Sequence, residues 1–170
     1  HFRRSVVGAL ESLTYSGRPV ESIPEFRLTS ADLSQFEALV LPEVEILSDQ
    51  QVEVIRNWVK NGGTLLASGR CGLLSEKRQS RSNFPLSDVF GVDFVSEQRK
   101  YAYDQSGKLK EGVVSIYLES AGHPLAKMLA VSTVGLPGPF LTLRRTTAEE
   151  VMRYRLPFMV EDMANYKWFN

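Results

Sequence analysis

An apolar residue recurs every three or four positions at the start of the chain, at Phe2, Val6, Leu10 and Leu13. This spacing predicts a helix over Phe2–Ser16 with its apolar stripe turned toward a core. Gly17 is the expected stop, because glycine commonly follows the last turn of a helix. In alternating α/β folds a strand precedes such a helix, so we expect that strand to lie before the given sequence.

Residues 38–67 carry the clearest pattern, which predicts a strand, a helix and a second strand. Ala38–Leu41 is an unbroken apolar run, typical of a strand buried on both faces. Ser48 and Gln51 have the spacing of a capping box, and the helix that they start has a predicted buried stripe at Val52, Ile55, Trp58 and Val59. Asn61–Gly63 ends this helix, and Thr64–Ala67 predicts a second buried strand. A right-handed crossover makes the two strands parallel.

Weaker patterns fill the rest of the chain. Ser68–Asn83 has no periodicity and predicts a long surface loop, either a mobile connection or a functional or interface loop. A short helix is expected from Pro85, and β-type runs predict strands at Val92–Val95, Val113–Leu118, Phe140–Leu143 and Val151–Leu156. We expect one domain over residues 1–170, trimmed at both ends, folded as a three-layer α/β/α sandwich with a mainly parallel sheet.

Composition and charge argue against several classes of protein. Twenty Lys and Arg balance twenty Asp and Glu without a basic stripe, which argues against nucleic-acid binding and a polybasic membrane anchor. One cysteine permits no intramolecular disulfide, and with two histidines it cannot complete a four-ligand zinc site. Gly62-Gly63 precedes a strand and opens no helix, so it is no phosphate cradle. We expect no metal, no cofactor, no nucleic acid and no membrane partner, in a cytoplasmic, periplasmic or secreted protein.

Cys71 is the only candidate for a thiol nucleophile, and it comes shortly after the predicted strand Thr64–Ala67. A catalytic thiol needs a base, and His123 is the only internal histidine. No helix pattern follows Cys71 directly, so a nucleophile elbow would lack its second half. We therefore expect no catalytic residue in the chain, and a turn or N-cap role for His123. The alternative is a thiol hydrolase or amidase that uses Cys71 and His123.

Other side chains could serve carbohydrate chemistry or assembly. Glu43 and Glu45 resemble the carboxylate pair of a glycosidase, but we interpret them as a solvated acidic loop. Aromatic residues could instead form a sugar platform, and these are Tyr101, Tyr103 and Trp168. For contacts with another domain or subunit the candidates are the loop Ser68–Asn83 and the aromatic tail Tyr166–Phe169, since interfaces favour aromatic side chains.

Several stretches together resemble one known family, namely Phe36–Pro42, Leu47–Asp49, Trp58–Leu65, Pro85–Val92 and His123–Ala126. The pattern of a strand ending in Leu-Pro, a helix and a Gly-Gly-Thr-Leu strand is similar to the β-galactosidase trimerisation domain. That domain is an accessory part of bacterial glycoside hydrolases. The resemblance is strongest over Phe36–Val92.

The resemblance implies a flavodoxin-like, class I glutamine amidotransferase-like fold and a non-catalytic role. In the family's enzymes the catalytic carboxylates lie on a separate (β/α)₈ barrel, and this domain packs against it and supports oligomerisation. The implied partners are that barrel, sister subunits and a carbohydrate nearby, in a β-galactosidase-like or α-fucosidase-like parent. True amidotransferases place a cysteine at the turn after the strand matching Thr64–Ala67. Here that position falls near Gly69, and Pro124 follows His123, so amidase activity is not expected.

Overall fold

The computed structural model of the chain describes residues 2–28, 33–98, 101–103, 109–111, 115–128, 133–137 and 140–155. Two compact units are distinguished: His1–Val95 with Leu143–Thr146, and Ser96–Thr142 with Thr147–Asn170. A membrane-spanning helix, long and apolar enough to cross a bilayer, does not occur in the described ranges.

The described helices are α1 (Phe2–Tyr15), α2 (Asp49–Lys60) and the single turn α3 (Ser87–Phe90), with 3₁₀ turns at Glu25–Arg27 and Pro124–Met128. The described strands are β1 (Ala38–Pro42), β2 (Thr64–Ser68), β3 (Val92–Gln98), β4 (Tyr101–Tyr103), β5 (Leu109–Glu111), β6 (Ser115–Ser120), β7 (Thr133–Pro137), β8 (Phe140–Arg145) and β9 (Met152–Arg155). The strands predicted from the sequence are confirmed with small shifts of their ends, whereas the pattern does not predict β4, β5 or β7.

The first predicted helix is confirmed as α1, and Gly17 follows it in the left-handed region with a φ of +71°. This helix packs against β1, and its inward side chains Val6 and Leu13 are half-buried. None of the α1 side chains that the structure describes is fully buried. The helix is therefore present where the periodicity places it, but its apolar stripe is covered only in part.

The predicted unit of strand, helix and strand is also confirmed, because β1 and β2 pair in parallel with Val40 opposite Leu66. The expectation that both strands are buried on both faces is wrong. Leu39 and Leu41 point into the core, whereas Leu66 on the other face is 62% exposed. Within the described residues this sheet has only two strands, and the core that includes α2 side chains covers one of its faces.

Helix α2 begins where its capping box predicts. The Ser48 hydroxyl accepts from the Gln51 backbone amide at 3.2 Å, and the Gln51 side chain accepts from the Ser48 amide at 2.9 Å. These two bonds satisfy amides that a helix start otherwise leaves without partners. The inward side of α2 contributes three buried side chains to the core of the first unit, which consists of Leu33, Leu39, Leu41, Leu47, Val52, Ile55, Trp58, Cys71 and Leu86.

The glycine pair after α2 has a packing role as well as a chain-reversing one. Gly62 has a φ of +100°, which favours glycine because a side chain is strained there. A Cβ atom at Gly63 would overlap the Trp58 ring, so only glycine lets the chain pass beneath this tryptophan into β2. The predicted helix stop is thus also the place where Trp58 is packed.

The strands of the second unit pair antiparallel. β6 lies between β7 and β9, with Tyr117 opposite both Gly135 and Arg155. β4 and β5 form an antiparallel pair with Tyr101 opposite Glu111. The short connection between β4 (Tyr101–Tyr103) and β5 (Leu109–Glu111) favours this arrangement for that pair, since a parallel pair needs a crossover of about a dozen residues or more.

The predicted fold class, a three-layer α/β/α sandwich with a mainly parallel sheet, is therefore wrong. Three of the four strand pairs with a described register are antiparallel, and only β1 and β2 are parallel. The described part of the chain is rich in small sheets and has few helices, which also contradicts the flavodoxin-like and glutamine amidotransferase-like expectation. The error came from extending the true β1–α2–β2 pattern to the whole chain. The expectation of one domain stays a prediction, because a domain is defined by its ability to fold independently and not by its internal contacts.

Candidate functional site

The candidate nucleophile Cys71 lies in the core and not on a surface turn. Its side chain is 2% exposed and packs with Leu41, Leu47 and other members of the core of the first unit. Burial raises the pKa of the Cys71 thiol to about 12, because an apolar environment disfavours the charged thiolate. Thiolates are the nucleophilic form, so this cysteine is chemically inert at neutral pH.

The candidate base His123 is occupied by local hydrogen bonds. Its Nε2 lies 3.1 Å from a carboxylate oxygen of Glu149, and its Nδ1 accepts from the Leu125 backbone amide at 3.1 Å. The second bond caps the 3₁₀ turn Pro124–Met128, which is the N-cap role expected from the sequence. Both ring nitrogens therefore have partners close by in the second unit. The absence of catalytic residues from the chain stays a prediction.

The loop Ser68–Asn83 is held in place by one arginine. A terminal nitrogen of Arg81 donates to three backbone carbonyls, those of Leu47, Gly72 and Leu74 at 3.0, 2.9 and 2.8 Å. The other terminal nitrogen donates to Asp49 at 2.6 Å, at the first residue of α2. Hydrogen bonds to a charged donor are stronger than neutral ones. The loop is therefore fastened to the start of α2, which argues against the alternative of a mobile connection.

A second arginine fastens α2 to the single turn α3. Arg56 donates from Nε to Asp88 at 2.9 Å and from a terminal nitrogen to the Pro85 carbonyl at 2.5 Å, and it also pairs with Glu53. The hydrogen bond from Arg56 lowers the pKa of the Asp88 carboxyl, because it stabilises the charged form. This staple orients the segment that leads into β3.

A third set of polar side chains joins the start of β3 to β8. The Asn83 side chain donates to Asp93 at 2.7 Å, and its oxygen accepts from the backbone amides of Phe84 and Phe94. Arg144 lies 2.8 Å from the other Asp93 oxygen. These donors hold the pKa of Asp93 below its ordinary value, with the Arg144 bond as the largest cause. All three staples are structural in kind, because their polar groups satisfy one another.

Of the two carboxylates that follow β1, that of Glu43 has a structural partner. Glu43 has a φ of +52°, uncommon for a residue with a side chain, and its carboxylate accepts from the Ser5 hydroxyl of α1 at 2.8 Å. Its side chain lies over Gly69, where a Cβ would be 2.7 Å from the Glu43 Cγ atom. The Glu45 carbonyl accepts from the Leu74 amide. Glu43 therefore links α1 to the ends of β1 and β2.

Of the aromatic candidates, only the backbones of Tyr101 and Tyr103 are described, in β4. The tail Tyr166–Phe169, with Trp168, lies outside the described residues. The prediction of a sugar platform or an aromatic interface at these positions stays a prediction. Among the described residues no group of three or more His, Cys, Asp or Glu side chains could hold a metal ion.

Several apolar side chains of the first unit are exposed. Phe26 is 85% exposed and Leu66 is 62% exposed, and Val7 and Leu10 on α1 are each 43% exposed. Single exposed apolar residues are ordinary, but a surface with several of them is typical of a contact with another protein surface. The described residues of the first unit thus combine exposed apolar side chains with three internal polar staples.

The sequence model of the β-galactosidase trimerisation domain family matches residues 23–112, more than half of the chain. The chain belongs to this family. No curated protein sequence matches it. The family resemblance that the sequence motifs indicated is thereby confirmed.

Similar solved structures support the fold. Gan42B, a GH42 β-galactosidase, has a TM-score of 0.63 and 18% identity over 83% of this chain and 18% of that chain. A catalytic mutant of Gan42B from G. stearothermophilus has a TM-score of 0.61 and 17% identity, with coverage of 82% and 18%. The β-galactosidase from Bacillus circulans sp. alkalophilus has a TM-score of 0.57 and 15% identity, with coverage of 72% and 17%. At these identities the likeness concerns the fold alone, and the chain spans less than a fifth of each protein.

The sequence analysis missed the three staples built on Arg81, Arg56 and Asn83. The Arg81 and Arg56 staples each contain a hydrogen bond between residues at least 29 positions apart in the sequence. The bond from Asn83 to Asp93 joins residues 10 positions apart. A polar residue in a polar loop gives no spacing signal for such a bond. The sequence shows only that Arg81 lies in the loop after β2. It does not indicate which backbone carbonyls this arginine binds.

Proposed function

We propose that this chain is the non-catalytic oligomerisation module of a glycoside hydrolase. The observation that carries the proposal is the match of residues 23–112 to the β-galactosidase trimerisation domain family. The exposed apolar side chains of the first unit support it, since an assembly module needs a surface that another copy can cover.

The parent protein is proposed to be a longer enzyme of carbohydrate metabolism, of the β-galactosidase-like or α-fucosidase-like kind. The chain spans 18% of the length of Gan42B, which leaves room for a catalytic domain elsewhere in such a parent. Its proposed partners are that catalytic domain and sister subunits, with a carbohydrate substrate nearby. The proposal includes no nucleic-acid or membrane partner, and no metal or cofactor.

The chemistry of the described residues supports a non-catalytic role. A thiol with a pKa of about 12 provides almost no thiolate at neutral pH, and Cys71 would be the nucleophile of the alternative thiol hydrolase. The candidate base His123 uses its ring nitrogens for Glu149 and for a turn amide. No described contact favours the hydrolase alternative, so we do not carry it further.

Two measurements on the 170-residue chain test the proposal. Sedimentation velocity over a range of protein concentrations is expected to show a trimer, and assays with chromogenic β-galactosides and α-fucosides are expected to show no hydrolysis. A chain that stays monomeric at all concentrations would overturn the assembly role. Hydrolysis of these glycosides would overturn the non-catalytic role. Hydrolysis of a chromogenic ester or amide that is lost in a Cys71→Ala/His123→Ala variant would revive the thiol alternative.

A further inference from the structure

The outward face of α1 is not covered by any element within the described ranges. A shallow groove runs along this face and is lined by Arg3, Arg4, Val7, Gly8 and Glu11. Residues three and four apart lie on one side of a helix, so this set shares one face. The half-buried side chains Val6 and Leu13 lie on the opposite side, toward β1. The groove therefore faces away from the unit's own core.

The composition of this groove is unfavourable for an isolated helix. Arg3 and Arg4 are exposed and have no ion-pair partner among the described residues. Gly8 lies inside the helix, where glycine costs roughly 1 kcal/mol relative to alanine. A Cβ atom at Gly8 would meet nothing within 4 Å. Nothing in the described fold requires a small residue there, whereas a surface that approaches closely would.

A second exposed surface of the same unit has the opposite charge. It lies at Val20–Phe26, where Phe26 is 85% exposed and Val20 is 39% exposed. Glu21 and Glu25 lie between them, and the Glu25 carboxylate has no partner within the described residues. Glu21 pairs with Arg27 at 3.9 Å, but both side chains are about half exposed, so this pair is weak. The surface therefore carries two carboxylates beside its apolar side chains, whereas the α1 groove carries two arginines, one carboxylate (Glu11) and the apolar Val7.

We propose that the α1 groove of one copy binds the Val20–Phe26 surface of the next copy. This inference rests on the proposed oligomerisation function and names its contact surface. A cyclic trimer is built from head-to-tail contacts, so each subunit must present two different, complementary surfaces. Arg3 and Arg4 meet Glu21 and Glu25, and Phe26 packs over the open position at Gly8, beside Val7.

Charge reversal tests the pairing of the two surfaces. The variants are Arg3→Glu/Arg4→Glu, Glu21→Arg/Glu25→Arg and the quadruple variant that carries all four changes. By sedimentation velocity, each double variant is expected to raise the dissociation constant of the trimer by about tenfold, because like charges then face each other. The quadruple variant is expected to return to within about threefold of the original chain, because the charges are again complementary. A quadruple variant that assembles no better than the double variants overturns the proposal.

Steric blocking is an independent test that does not depend on charge. Gly8→Trp is expected to abolish the trimer while leaving the circular dichroism spectrum unchanged, since the space above Gly8 is open in the single chain. Gly8→Ala is the matched small variant and is expected to keep the trimer. Asn57→Trp on the exposed side of α2 is the matched large variant and is also expected to keep it.

The outcomes separate the two proposals. A chain without substitutions that stays monomeric overturns the oligomerisation function and this surface together. If the trimer is unaffected by both Gly8→Trp and the charge reversals, only the proposed contact surface is wrong. The α1 groove would then be covered by another part of the parent protein. If a charge variant fails to fold, as seen from its circular dichroism spectrum, Gly8→Trp and its two controls decide.

Discussion

Helices α1 and α2 have comparable lengths and comparable apolar periodicity, yet only α2 is buried. Val52, Ile55 and Trp58 of α2 lie in the core, whereas the described side chains of α1 are half-buried at best. Periodicity therefore predicts that a helix forms with an apolar side, and it does not predict how much of that side the chain itself covers.

The two helices also differ in the charged and capping residues at their ends. α2 has a complete capping box, an acidic residue in its first turn and a basic one in its last, all of which oppose the helix macrodipole. α1 has no acidic residue in its first turn and no basic residue in its last. α2 is therefore stabilised by its local end groups and by the core, whereas no described side chain of α1 is fully buried.

The largest expected effect contrasts one apolar residue of each helix. Ile55 is fully buried, so Ile55→Ala is expected to lower the free energy of unfolding by about 2–5 kcal/mol. Leu10 is 43% exposed, so Leu10→Ala is expected to cost less than about 1 kcal/mol. Urea unfolding followed by circular dichroism measures both. Equal losses at the two positions would contradict the contrast.

The next effect concerns the Arg81 staple, which holds the start of α2. Arg81→Met removes a charged donor from three carbonyls and from Asp49, and it is expected to cost about 2–3 kcal/mol. Arg78→Met in the same loop is the control, because the Arg78 side chain is exposed and has no described partner. Urea unfolding compares the two variants, and a similar loss in both would show that Arg81 is dispensable.

Removing the α2 cap is expected to have a smaller effect. Ser48→Ala deletes the hydroxyl that accepts from the Gln51 amide and is expected to cost about 1 kcal/mol. Ser12→Ala on the exposed side of α1 is expected to be neutral or slightly stabilising, since alanine favours helix. Thermal unfolding of both variants measures the difference, and a neutral Ser48→Ala would mean that the capping box contributes nothing.

The smallest expected effect is the acid sensitivity of the α2–α3 staple. Arg56 lowers the pKa of Asp88 in the folded chain below its ordinary value of 3.8. The staple's contribution is therefore fully present above about pH 4 and is lost as the pH falls through the lowered value. Because Asp88 is half exposed, we expect this contribution to be below about 1 kcal/mol. Urea unfolding at pH 7 and pH 3 should show a smaller drop for Asp88→Asn than for the original chain. An equal drop would contradict the assignment.

The parts of the fold that follow local rules could be predicted from the sequence. The structure confirms the predicted helix Phe2–Ser16 and the Ser48 cap, which depend on residue spacing. It also confirms the parallel pairing of Ala38–Leu41 with Thr64–Ala67, which depends on the helical crossover between them. The family also follows from motifs confined to one stretch of the chain.

Those motifs do not predict the fold of the second half of the chain. The pairing of β6 with both β7 and β9 depends on contacts between strands that no periodicity encodes. The burial of Cys71 is similar, because the turn that follows β2 folds back into the core. The sequence places Cys71 in a polar loop, and only the packing of Leu41 and Leu47 around it determines that its thiol is inert.

Because Trp58 is packed over Gly63, its fluorescence can be used to follow the unfolding of the first unit. Trp58 and Trp168 are the two tryptophans of the chain, so a Trp168→Phe variant has a single emitter. That emitter is 9% exposed at the junction of α2 and β2, where shielding from water favours emission at shorter wavelengths. A red shift on denaturation would then time the opening of the first unit, independently of whether α1 is bound to a neighbour.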